Sequence, residues 1–147
     1  MASKRAPVGL RLARTAKAVS QAFDGALVEA GGSLPTWLVL LSLKTAPGSN
    51  QSKLAASMGI QGATLTHHLN VMENNGLLTR RRDPDNRREH RVELTDRGEA
   101  LFRRLRSAAA AFDRRLRAGL PDREVARLEG LLDRLRSNVA ADAPADR

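Results

Sequence analysis

SNQSKLAASMGIQGATLTHHLNVMENNGLLTRRRDPDNRREHRVELT, residues Ser49–Thr95, changes its hydrophobic period once, and that change decides the fold. Leu54, Ala55 and Met58 fall at i, i+1 and i+4, the inner stripe of a two-turn helix that Ser49 or Asn50 is placed to cap. Gly59 supplies a turn. Leu65, Leu69 and Met72 then recur at i, i+4 and i+7, the stripe of a second helix that Gly76 closes. After Gly76 the period becomes alternating. Leu78 with Arg80 through Asp83 suits an outgoing strand, and Val92 and Leu94 suit the returning one. Asp83-Pro84-Asp85-Asn86 between them is turn chemistry, with proline fixing φ and Asp/Asn bonding the local backbone.

Six arginines (Arg80, Arg81, Arg82, Arg87, Arg88, Arg91) crowd that hairpin against Asp83, Asp85 and Glu89. Two short helices around a glycine are common. A basic hairpin directly after them makes the combination a winged helix-turn-helix, built to place one helix in a major groove and the hairpin on phosphates or a minor groove. The fold class expected is therefore mostly α with a small β wing.

The rest of the chain frames this centre. From Val8, the residues Leu12, Ala16, Val19, Phe23 and Leu27 keep a helical spacing that Gly31-Gly32 ends. Ser33 and Pro35 occupy N-cap and first-turn places before Trp37 to Leu41, a run apolar on every side and so expected to be buried all round. Thr95-Asp96 opens another helix, whose stripe runs through Leu101, Leu105, Phe112 and Leu116 to about Gly119. Pro121 starts a last one, striped by Val125, Leu128, Leu131, Leu132, Leu135 and Val139. The long terminal stripes can pack on each other as a bundle within one chain. An interlocked dimer is preferred, because a two-fold pair engages both halves of a palindrome. One domain over 1–147 is expected: 8–32 and 96–139 as dimerisation helices, 33–95 as the DNA-binding part, 140–147 as a flexible tail.

Composition agrees. The net charge of +9 favours a polyanionic partner, although only four residues are lysine and arginine richness alone also follows from coding bias. Without cysteine there is no disulfide, thiolate metal site or cysteine nucleophile. His67 and His68 are adjacent and project about 100° apart on a helix, so they do not chelate one metal together. No glycine-rich phosphate loop is present either. An enzyme, a metal and a cofactor are thus not expected. No stretch reaches the roughly 18 apolar residues of a membrane span, and Lys4-Arg5 lacks a following apolar segment, so a cytoplasmic protein is expected.

The chain resembles the MarR (multiple antibiotic resistance regulator) family, in the pattern of its SlyA-like branch. The resemblance is carried by Leu54-Ala55, Met58-Gly59-Ile60, Leu65…Leu69…Met72-Glu73…Gly76-Leu77-Leu78, Arg80, Asp83-Pro84…Asn86-Arg87-Arg88 and Val92…Leu94-Thr95…Gly98. It covers about Val8 to Val139. It implies a bacterial repressor that binds pseudo-palindromic double-stranded DNA as a homodimer with interlaced terminal helices, often released by a small aromatic anion. One departure is visible: the family wing usually carries Asp-x-Arg, where this chain has Asn86-Arg87-Arg88.

Helical geometry selects the readers. With Leu65, Leu69 and Met72 inward, Ala63, Thr64, His67 and Asn70 fall outward and His68 on the flank. His67 stands where many SlyA-like sequences carry a DNA-contacting arginine. Gln61 opens the helix where N–H groups meet a phosphate. Thr64 and Thr66 offer hydroxyls, and Ala63 a surface for a thymine methyl. Arg87 and Arg88 flank the wing tip and suit a narrow minor groove, while Arg80 suits a phosphate clamp or a solvated strand face. The pocket implied by the resemblance would use Trp37 and Arg14, the latter pairing a ligand carboxylate; plain core and plain surface are the alternative roles. The competing function is a basic adaptor that uses the winged helix for protein contacts.

Overall fold

The structure, a computed structural model, describes residues 5–47, 50–82, 84–85 and 90–140. Expectations that fall on Lys4, Ser49, Asp83, Asn86, Arg87, Arg88, Glu89 and 141–147 lie outside the described residues. The described elements are α1 (Val8–Glu29), α2 (Leu34–Thr45), α3 (Gln51–Met58), α4 (Gly62–Asn74), β1 (Leu78–Arg82), β2 (His90–Leu94), α5 (Asp96–Leu116) and α6 (Asp122–Ala140). The chain divides into two compact units, 1–112 and 113–147.

Each boundary in the first unit has a local cause. α1 ends at Gly31, with φ of 99°, where the Gly32 N–H donates to the Leu27 carbonyl at 2.9 Å and the Gly31 N–H to that of Val28 at 3.0 Å. That pair of bonds is the Schellman arrangement, which satisfies carbonyls a helix end leaves open. Ser33 Oγ then accepts from the Thr36 N–H, and Asp24 of α1 accepts from the Leu34 N–H at 2.9 Å, so α2 starts fixed to its predecessor. Asn50 caps α3: its side chain accepts from the Lys53 N–H at 2.9 Å. Gly59 turns at φ 65° and Gly76 closes α4 at φ 72°.

β1 and β2 pair antiparallel, Leu78 opposite Leu94 and Arg82 opposite His90. A bridge from Asn50 to Arg91 ties the start of α3 to β2. Thr95 joins the hairpin to α5. Its N–H donates to the Leu77 carbonyl, its hydroxyl donates to the Gly76 carbonyl at 2.6 Å, and the same oxygen accepts from the Gly98 N–H at 3.1 Å. Gly98 is buried against the Leu77 carbonyl, where any Cβ would overlap the oxygen. The Leu-Thr-x-x-Gly pattern is therefore a packing requirement at the root of the wing.

The core draws Leu27 from α1, Val39, Leu40 and Leu43 from α2, Leu54 from α3, Leu65, Leu69 and Met72 from α4, Leu78 and Val92 from the hairpin, and Leu101, Phe102 and Leu105 from α5. Trp37 stacks on Phe102 at 5.7 Å between centroids, and Phe23 stacks on Phe112 at 5.0 Å. The expectation that α2 is buried all round needs correction. Leu38 and Leu41 are exposed, because within the chain the helix is covered only on the Trp37–Val39–Leu40–Leu43 side. α6, in the second unit, has no buried residue at all.

Candidate nucleic-acid interface

α4 presents two faces. Leu65 and Leu69 are fully buried and Met72 is nearly so, while Gln61, Ala63, Thr64, His67 and Asn70 are exposed. His68 is half-buried on the flank, with its ring 5.9 Å from that of His67. The outward face is thus small and polar, and a major groove can approach it closely. Gln61 precedes the first helical residue without capping the helix by its side chain, which leaves the N-terminal N–H groups of α4 in the position that suits a phosphate. Thr66 is half-buried. Its hydroxyl donates to the Gly62 carbonyl at 2.9 Å and receives the Gln51 amide at 3.5 Å, so it links α3 to α4.

Arg80 is placed where sequence reasoning did not look. Its backbone N–H donates to Glu73 Oε2 at 3.1 Å, its Nε to the same oxygen at 3.3 Å, and its Nη2 to Glu73 Oε1 at 3.2 Å. The same Nη2 donates to Asn70 Oδ1 at 2.6 Å. The guanidinium sits in a forked clasp on the carboxylate, and its side chain is only 19% exposed. Arg80 therefore fastens β1 to α4, rather than standing out as an open phosphate clamp or a solvated strand face. The Glu73 carboxyl is held below its usual range, first by the hydrogen bond from the Arg80 side chain; desolvation opposes this, and the Arg80 charge adds to the lowering. Glu73 and Arg80 both lie in the quoted motif, seven residues apart, and that spacing across a helix end was the available signal.

Arg81 and Arg82 are exposed on β1. Arg81 stands directly across from Arg91 in the ladder, a like-charge pairing that costs stability. Asp85 lies 4.0 Å from Arg91 and offsets part of that charge. On the other expected site, Arg14 is exposed on α1 and Trp37 is buried against Phe102. Lys44 reaches over the same Phe102 ring at 5.5 Å and pairs with Glu99 at 2.9 Å. A cleft of about 210 Å³ beside this pair is lined by Leu43, Lys44, Pro47, Val92, Glu93, Leu94 and Glu99, without Trp37 or Arg14.

The model of the MarR family matches residues 33–90, the span from the cap of α2 to the first residue of β2. A solved structure of the transcriptional repressor CouR bound to a 23-mer DNA duplex is 29% identical, with a TM-score of 0.81 over 88% of this chain and 92% of that one. Residues 33–90 thus carry a MarR-family domain. Further likeness within the family is to a transcriptional regulator from Rhodococcus sp. RHA1, 28% identical, TM-score 0.75, covering 87% of this chain and 91% of that chain. CouR bound to p-coumaroyl-CoA is 27% identical, TM-score 0.77, covering 88% and 91%. The MarR domain and the likeness to DNA-bound CouR support, in broad class, a DNA-binding transcription regulator. No single helix among the described residues is long and apolar enough to cross a membrane.

Proposed function

We propose that this MarR-family chain is a repressor that binds pseudo-palindromic duplex DNA as a homodimer, with α4 in the major groove and the wing against the minor groove. The observation that carries the reading is the exposed polar face of α4 running beside an arginine-rich hairpin, with Arg81 and Arg91 set opposite each other. Gln61, Ala63, Thr64 and His67 meet the groove, and Arg87 and Arg88 supply wing charge. The DNA-bound state of CouR, at 29% identity, supports the DNA partner. The dimer is supported by the apolar residues that a single chain leaves exposed: Val8, Leu10 and Leu12 on α1, and Leu128, Leu131, Leu132, Leu135 and Val139 on α6. Burying a leucine is worth about 1.5–3 kcal/mol, so two such stripes favour association with a second copy.

The testing experiment is a gel shift on genomic fragments and on random duplex at two salt concentrations. Sequence-specific binding retains a preferred fragment as salt rises, whereas uniform loss on every fragment would remove the regulatory reading. We also propose release by a small aromatic anion near Trp37 and Arg14, supported by CouR's p-coumaroyl-CoA complex. Salicylate-like compounds then quench the single tryptophan and weaken DNA binding together. Quenching with unchanged DNA affinity contradicts an effector role.

A further inference from the structure

Asn70 lies on the exposed side of α4, almost one turn beyond His67, and accepts the Arg80 Nη2 bond of 2.6 Å. Arginine carries only donors, so the amide atom facing it is the oxygen, and the –NH₂ is the part not spent on Arg80. Arg80 is itself held by Glu73 through side chain and backbone. An asparagine that reads adenine turns both amide atoms to the base edge, the oxygen to N6–H and the nitrogen to N7. An amide whose oxygen is held by Arg80 is not free to turn, although that oxygen keeps a second lone pair. Guanine offers only acceptors, N7 and O6, on its major-groove edge.

We propose that Asn70 is a specificity-determining residue that donates to a guanine, with Arg80 as the positioning residue that fixes its amide and Glu73 as the anchor of Arg80. This rests on the DNA-binding role proposed above. A phosphate oxygen would satisfy the same donors, but that contact carries no sequence information, and the test separates the two.

The test is selection of bound sequences from a random duplex library by the full-length protein and three variants, Asn70→Ala, Asn70→Asp and Arg80→Met. The unaltered protein enriches a two-fold motif with one guanine per half-site whose replacement costs about tenfold in affinity. Asn70→Ala enriches the same motif with that position relaxed. Asn70→Asp keeps a partner for Arg80 and offers acceptors instead of donors, so the position moves to cytosine, whose N4 donates. Arg80→Met frees the Asn70 oxygen, and the position drifts from guanine to adenine, which a merely structural role does not produce. Asn70→Ala and Asn70→Asp lie on the surface and test the inference even where Arg80→Met fails to fold. It is overturned if both Asn70 variants retain the guanine, or if Asn70→Ala weakens motif and random duplex equally. Absence of any motif with the unaltered protein instead overturns the DNA reading, and this inference with it.

Discussion

His67 and Asn70 are exposed while Leu65, Leu69 and Met72 are buried, as a step of about 100° per residue from the apolar stripe requires. That division of α4 into two faces was legible, because helix period alone separates them. His67→Ala is expected to cost about 1–3 kcal/mol on the preferred sequence and little on random duplex. Equal losses on both would make the histidine a phosphate contact. The role of Arg80 was not legible, because its partners lie across a helix end and a change of period. Glu73 supplies a second residue-scale prediction. Its pKa in the folded chain is depressed by Arg80, so the ionised form is the stabilising one. That contribution is fully present above the ordinary glutamate value of about 4.3 and fades as pH falls through the lower folded value. Unfolding midpoints of the parent and Glu73→Gln should therefore differ at neutral pH and converge in acid. A constant gap across the range would mean that the clasp contributes nothing through its charge.

The wing is the element whose parts were seen separately from the sequence and which the structure joins. Strand alternation gave Leu78, Val92 and Leu94, and turn chemistry gave the hairpin. The Thr95 cap on α5 was legible, but what fixes the hairpin was not: the Thr95 hydroxyl bonded to Gly76, the Gly98 backbone packed under Leu77, and the Arg80 clasp on α4. These are tertiary contacts, the hydrogen bonds among them joining residues 7 and 19 positions apart, and no local period records them. A wing rooted this firmly delivers charge at a set distance from α4. Arg88→Ala should weaken preferred and random duplexes alike and lower the salt slope by about two units for a dimer, roughly one per lost contact in each subunit. Unchanged affinity and slope for both Arg87→Ala and Arg88→Ala would leave the wing without a role on DNA, and Asn86 in place of the family aspartate would be the first position to restore.

For the whole molecule, the two terminal stripes matter most. Their helical spacing was legible, and so was their excess over what a small DNA-reading core needs. Leu128, Leu131 and Val139 of α6 remain at 47, 50 and 71% exposure, and α2 likewise leaves Leu38 and Leu41 uncovered. The second copy proposed above would cover apolar surface of this kind and set the geometry on DNA. In the proposed dimer the recognition helices are expected to reach half-sites about one helical turn apart, roughly 34 Å. The central claim, a dimer that reads a palindrome through α4, is tested most directly by hydroxyl-radical footprinting on a fragment chosen by gel shift. Two related protected patches per site are expected, centred about 10 base pairs or a multiple of it apart. A single unrepeated patch, or protection spread evenly along the duplex, would contradict it.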